Sequence, residues 1–174
     1  MMRKLILILL TFAIYGCDDE DYDTNLTSQT KSIESFVSKY PHQIQDGVYV
    51  IVTEIGEIGA STISVGDSVY INYTAMNFTT KPDSIITTNI KEVAEKEKFT
   101  TPKEMLVPFG IKWGTTPLIP GLAGALKWVT KGESILAIMP FNLGYGDDWH
   151  SMVPPYTALA FEIQIVDIIK RDEK

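Results

Sequence analysis

The chain of 174 residues has one cysteine and two histidines. A single cysteine excludes a disulfide framework within the chain, and Cys17, His42 and His150 are too few to assemble a zinc cluster. Basic residues are also outnumbered: 15 Lys and Arg against 22 Asp and Glu give a formal net charge of -7. No basic stripe is left for a nucleic-acid backbone, so nucleic acid is not expected as a partner. Conventional catalytic pairs are missing as well. Gly144-Tyr145-Gly146 lacks the spacing and the strand-to-helix setting of a nucleotide loop. Asp147-Asp148 are adjacent in a turn-like stretch, which satisfies neither a carboxylate pair nor a calcium site. His150-Ser151 are neighbours, and adjacency does not place a nucleophile against its base. No hydrolytic or metal-dependent site is legible, and no cofactor is implied.

What is present is globular composition, 45% hydrophobic and 21% charged, enough for one well-buried domain with a short extension. The extension is N-terminal. Met1-Met2-Arg3-Lys4 is a basic start, and Leu5 to Ile14 is an apolar run too short to span a bilayer. Tyr15-Gly16-Cys17 and the acidic Asp18-Asp19-Glu20-Asp21 follow. This pattern reads as an export signal rather than as structure. "IYGC" resembles the lipobox of bacterial lipoproteins, which implies a lipid on Cys17; a plain secretory signal with a chance cysteine is the competing reading. Acidic residues behind such a cysteine resemble the surface-export signal of Bacteroidetes-type lipoproteins, whereas in other bacteria an aspartate there resembles a signal for retention on the inner membrane. The expectation is a chain lipid-anchored in the bacterial cell envelope, at the outer membrane, with a signal peptide over 1–16, a lipidated tether and short helix over 17–44, and one folded domain over 45–170.

Residues 18–31 are polar and read as a solvated tether. Ile33, Phe36, Val37 and Tyr40 recur at helical spacing and Pro41 ends the run, predicting a short accessory helix. Strand-like segments follow at "GVYVIVTEIG", at "SVYINYTAMNF" after a Gly66-Asp67 turn, at "LVPFGIKW", at "ESILAIMP" and at "ALAFEIQIVDII". In the second of these, Val69, Ile71, Tyr73 and Ala75 alternate with polar or half-polar residues. Asn89, with Glu92 three residues on, predicts a capped helix through "IKEVAEKEK". Pro120 fits the first turn of a helix running through Leu122, Leu126 and Val129, with Gly132 at its end. Several strands around one central helix make an α+β domain.

The loop "GYGDDWHSMVPPYT" is unusual because Trp149, Met152, Val153 and Tyr156 sit among turn residues that normally favour a polar surface. It belongs to a larger pattern. "YINYTA", "PFGIKWGTTPLIPGLAGAL", "KGESILAIMPFNLGYG" and "VPPYTALAFEIQIVDI" occur in that order and resemble the FKBP family of peptidyl-prolyl cis-trans isomerases, in a lipoprotein branch like that of Bacteroidetes, which includes gliding-motility-associated isomerase lipoproteins. The resemblance covers most of residues 66–168. It implies a half-wrapped antiparallel sheet around one central helix, with an apolar pocket between them. Tyr73, Phe109, Leu118, Ile119, Leu122, Tyr145, Val153 and Phe161 fall where the family lines that pocket, and Leu122 stands where most members have tryptophan. The phenol of Tyr145 and the backbone N–H of Ile119 resemble the family's donors to substrate carbonyls, with Tyr73 and Phe161 as catalytic walls. Read alone, Tyr73, Phe109 and Phe161 each favour a simple core position, and only together, in family order, do they point to the pocket.

The family also carries a Phe-Asp pair at the pocket edge. Through "IITTNIKEVAEK" that pair aligns with Ile86-Thr87, while a second alignment uses Asp83 after Pro82. The resemblance implies proline-containing segments of exported proteins as substrates and macrolides as inhibitors. Two functions fit: an envelope-tethered isomerase that assists folding, or an FKBP-shaped binding module in a surface or motility complex with little turnover.

Overall fold

In the computed structural model, which describes residues 18–99 and 102–171, the alternating segments form one antiparallel sheet. Its strands are β1 (Gln43–Gln45), β2 (Val48–Glu54), β3 (Ser68–Phe78), β4 (Pro82–Thr88), β5 (Phe109–Lys112), β6 (Ser134–Met139) and β7 (Leu159–Ile169). They lie in the order β1-β2-β6-β7-β3-β4. Strand β5 also pairs with β3, occupying the edge beside Ser68–Ile71, whereas β4 occupies the same edge beside Thr74–Phe78. The helices are α1 (Asp18–Val37), α2 (Lys91–Lys96) and α3 (Pro120–Leu126).

Period-2 alternation gives the sheet two apolar faces. Val69, Ile71 and Ala75 of β3, Ala137 and Met139 of β6, and Leu159, Phe161 and Ile163 of β7 face α3 and form the main core. Met76 and Phe78 have the opposite parity on β3 and so face the other side of the sheet. There they join Tyr49, Ile51, Ile138 and Ala160 beneath α1. Ile33 and Val37 of α1 are fully buried in this second cluster, each contributing on the order of 2 kcal/mol by its burial.

Three expectations change. Residues 18–31 are not a tether: they are the first part of a 20-residue helix that continues to Val37. Asp21 and Asp23 lie near its N-terminal end, where negative charge suits the helix dipole. Helix α3 stops at Leu126 rather than running through Val129, and Gly132 instead takes a positive φ of 80° in the turn closed by Thr130 and Glu133. Asn89 does not cap α2; Ile90 is the N-cap residue, without a side-chain bond. The Asn89 side chain is buried. Its Oδ1 accepts from the Tyr73 amide at 2.7 Å, and its Nδ2 donates to the carbonyls of Ile71 and Val107 at 2.9 Å each. It thereby fixes the chain between β4 and β5 against β3.

The Gly66-Asp67 turn is present, and its carboxylate is the most buried acidic group described, 3% exposed. Asp67 Oδ2 accepts from the Ser64 amide at 2.8 Å and from Lys170 Nζ at 3.0 Å, and Oδ1 accepts from the Arg171 amide at 2.9 Å. Burial alone would raise its pKa; the Arg171 and Ser64 amides and the Lys170 ammonium outweigh it and hold the carboxyl at about 2. One satisfied carboxylate thus ties the end of β7 to the start of β3.

Candidate functional site

The position of α3 creates the site. Pro120 supplies a preset φ and needs no N–H partner in a first turn, and Ile119 before it is extended at φ -60° and ψ 146°. A Cβ on Gly121 would overlap the sulfur of Met139 and crowd the Leu143 carbonyl, so only glycine lets the helix rest this close to β6. Packed there, the short helix leaves its leading residues facing a cavity of about 280 Å³ rather than filling it.

Tyr73, Phe109, Leu118, Ile119, Leu122, Tyr145 and Phe161 all line this cavity, as do Ile86 and Thr87. Tyr73 meets Phe109 edge-on, with ring centroids 6.3 Å apart, and Phe161 at 6.5 Å with a 40° tilt. Phe161 opposes Ala75 across the β3–β7 ladder, where the small side chain leaves space in front of the ring. Phe109 remains 42% exposed and forms part of the mouth. No lining residue carries a charge.

Polar groups interrupt this apolar wall at Tyr73, Thr87, Ile119 and Tyr145, and the last two are the donors that matter here. The Tyr145 phenol has no hydrogen-bond partner among the described residues, and burial, with a smaller contribution from Tyr73, raises its pKa above the ordinary 10.0. It therefore stays protonated, a donor, throughout the physiological range. The Tyr145 ring is stacked on that of His150, with centroids 4.0 Å apart and planes 7° from parallel. The Ile119 amide likewise donates to no described group.

A second cavity, of about 380 Å³, shares Tyr73, Ile86, Thr87 and Tyr145 with the first and is closed by Phe99, Met105 and residues 150–153. Val153, expected in the main pocket, lines this neighbour instead. It is 3% exposed because its mutual backbone bonds with His150 fold the loop into a tight turn that directs Val153 into the core. The two alignments also separate here. Thr87 lines the main cavity, whereas Asp83 lies with Ser28, Gln29 and Ser32 on the α1 side of the sheet. Ile71, Ala75, Pro117 and Leu159 also line the cavity and were not expected there; in the sequence, Ala75 is marked only by its small size on the apolar face of β3. Cys17 lies outside the described residues. No described helix is long and apolar enough to cross a membrane, and no metal-binding cluster of acidic, His or Cys side chains occurs among the described residues.

The family model for FKBP-type peptidyl-prolyl cis-trans isomerase matches residues 59–166. The fold is similar to the crystal structure of FkpA from Escherichia coli, at a TM-score of 0.62 and 20% identity over 86% of this chain and 62% of that one. This chain thus spans about three fifths of FkpA. It is also similar to a peptidyl-prolyl cis-trans isomerase from Pseudomonas syringae, at a TM-score of 0.63 and 16% identity over 85% of this chain and 96% of that one. The N-terminal domain of FKBP42 from Arabidopsis thaliana matches at a TM-score of 0.57 and 17% identity, over 75% and 93% of the two chains. The comparison with curated proteins gives no match.

Proposed function

Given that the chain belongs to the FKBP-type peptidyl-prolyl cis-trans isomerase family, we propose that it isomerises prolyl bonds of exported proteins in the cavity between α3 and the sheet, while held to the cell envelope through a lipid on Cys17. The observation that carries the reading is an uncharged, aromatic-walled cavity onto which the Tyr145 phenol and the Ile119 amide open without a protein partner among the described residues.

That inventory suits the chemistry. Rotation about a prolyl amide meets a barrier of roughly 20 kcal/mol, which arises from resonance. The planar amide is the more charge-separated form, and a dry apolar cavity disfavours it relative to the twisted one. Tyr73, Phe109 and Phe161 form walls around the proline ring, with Leu118, Ile119 and Leu122 opposite. The Tyr145 phenol and the Ile119 amide donate to carbonyls of the bound segment, holding it while the amide turns. No nucleophile is required. Leu122, smaller than an aromatic residue, leaves the floor open to a bulkier apolar substituent. Proline-containing peptides with an apolar residue before proline are the proposed substrates, and macrolides the proposed inhibitors.

A protease-coupled assay with such peptides tests this. Phe161→Ala and Tyr145→Ala are expected to lower kcat/KM while the far-ultraviolet spectrum stays that of a folded protein; wild-type rates in both variants would remove the cavity from the reaction. Metabolic labelling with a fatty-acid analogue tests the anchor, with label expected on the wild type and absent from Cys17→Ala.

Thr87 favours a second reading. A neutral hydroxyl stands at the cavity where the resemblance implies a carboxylate, and a neutral hydrogen bond is about half as strong as a charge-assisted one. A binding module with little turnover, serving a surface or motility complex, would show prolyl-peptide affinity without measurable acceleration.

A further inference from the structure

The loop that carries Tyr145 is closed by a residue far away in sequence. Gln29 lies on α1, yet its Oε1 accepts from the Phe141 amide at 2.9 Å and its Nε2 donates to the Tyr156 carbonyl at 2.6 Å. One partner is an N–H and the other a carbonyl, so the orientation of the Gln29 amide is fixed by them. Two further bonds complete a ring. The Gly146 amide donates to the Phe141 carbonyl at 2.9 Å, and the Tyr156 amide donates to the Gly146 carbonyl at 3.0 Å. Within this ring Gln29, Phe141, Gly146 and Tyr156 each give one hydrogen bond and receive one, and the Phe141 carbonyl also accepts from the Gly144 amide at 2.9 Å.

Aromatic packing reinforces the ring. Tyr22, on the same face of α1, meets Phe141 edge-on at 4.8 Å and Tyr156 at 6.5 Å, and Phe141 meets Tyr156 at 4.9 Å. Tyr156 holds a φ of 55°, a left-handed conformation that a bulky residue rarely adopts without compensation. Tyr145 precedes Gly146 directly, so the ring sets where its backbone leaves the loop. Helix α1 lies on the face of the sheet away from the cavity, and this loop joins it directly to the residue that carries the cavity's phenol.

We infer that α1 is a brace for the catalytic loop, with Gln29 as the positioning residue that sets the Tyr145 phenol. The inference rests on the isomerase reading for its kinetic consequence, and on the hydrogen-bond ring alone for its structural one. Misplacement of a reacting group by even 1 Å can cost up to two orders of magnitude in rate. Gln29 is one of several constraints on the loop, and its loss is expected to lower kcat/KM about five- to tenfold.

The experiment uses the full chain and three variants. Gln29→Ala removes both bonds; Gln29→Glu keeps the acceptor for Phe141 but sets a carboxylate against the Tyr156 carbonyl; Ile33→Val weakens α1 packing without touching the ring. Turnover is measured below the melting transition, together with amide hydrogen exchange at Phe141 and Gly146 and the ring resonances of Tyr145 and His150. Expected results are faster exchange, shifted ring resonances and reduced turnover in Gln29→Ala and Gln29→Glu, with Ile33→Val losing melting temperature alone. Unchanged exchange and ring resonances in Gln29→Ala would overturn the brace, as would turnover in Ile33→Val falling as far as in Gln29→Ala. An inactive wild type would instead overturn the isomerase reading, and exchange and resonances would still decide the brace.

Discussion

Asp67 and Tyr145 are treated in opposite ways by the same molecule. Asp67, at the turn before β3, is buried and receives hydrogen bonds from two amides and an ammonium. Tyr145, at the cavity, is partly buried and its phenol receives and gives none among the described residues. Tyr145 is only partly buried, so solvent can serve its phenol in the free protein and a ligand can replace that solvent, whereas the Asp67 carboxylate is committed to the fold. Under the isomerase reading proposed above, the cavity is the place where pairing is left to a ligand. Asn89 makes the same point from nearby: three of its hydrogen-bonding positions are filled although it lies just behind Tyr73.

That contrast yields graded expectations. Asn89→Ala strips partners from the Tyr73 amide and the carbonyls of Ile71 and Val107, and is expected to lower unfolding free energy by about 3 kcal/mol, read from denaturant midpoints. Asp67 has a smaller effect that depends on pH. Its folded pKa is depressed from 3.8 to about 2, so its stabilisation is full above the unfolded value and is lost as pH falls toward the folded one. Between about pH 4 and pH 2 the wild type should lose on the order of 2 kcal/mol that Asp67→Asn does not lose. A pair of identical acid-unfolding curves would show that the satisfied carboxylate is not a stabilising tie. Smaller again is Thr87→Asp, which restores a charge at the cavity edge and should raise kcat/KM about tenfold, with tighter macrolide binding, while Asp83→Asn changes neither.

The sequence was most informative where the physics is local or where short motifs repeat a family order. Alternation in Val69, Ile71, Tyr73 and Ala75 predicted one face of β3, and the pocket residues predicted from "LIPG" and "GYG" do surround one cavity. It was least informative where a polar residue serves a distant partner. Tyr22, Leu26, Gln29, Ile33 and Val37 follow helical spacing, but polar Gln29 interrupts the apolar stripe, so the first half of α1 read as a tether. The acidic first turns carried a helix signal that was absorbed into the export reading. Gln29 bonds residues more than a hundred positions away, which no window of local sequence contains. Asn89 failed for the same reason: its position and Glu92 fit a capping box, while its actual partners belong to β3 and to the segment before β5. Val153 was placed one cavity away because the turn at His150 and Ser151, where Ser151 takes a φ of 54°, is a tertiary choice rather than a sequence pattern.

The most direct test compares wild type with Tyr145→Phe, a change that deletes only the unpartnered hydroxyl. Two-dimensional exchange spectroscopy on a peptide with an apolar residue before proline reads cis–trans interconversion with no coupled protease. Accelerated exchange is expected with catalytic amounts of wild type, about fivefold less with Tyr145→Phe, and an unfolding midpoint at or above that of wild type in the variant. Equal acceleration by the two proteins, or a loss of stability in place of a loss of rate, would contradict the assignment of this phenol to substrate.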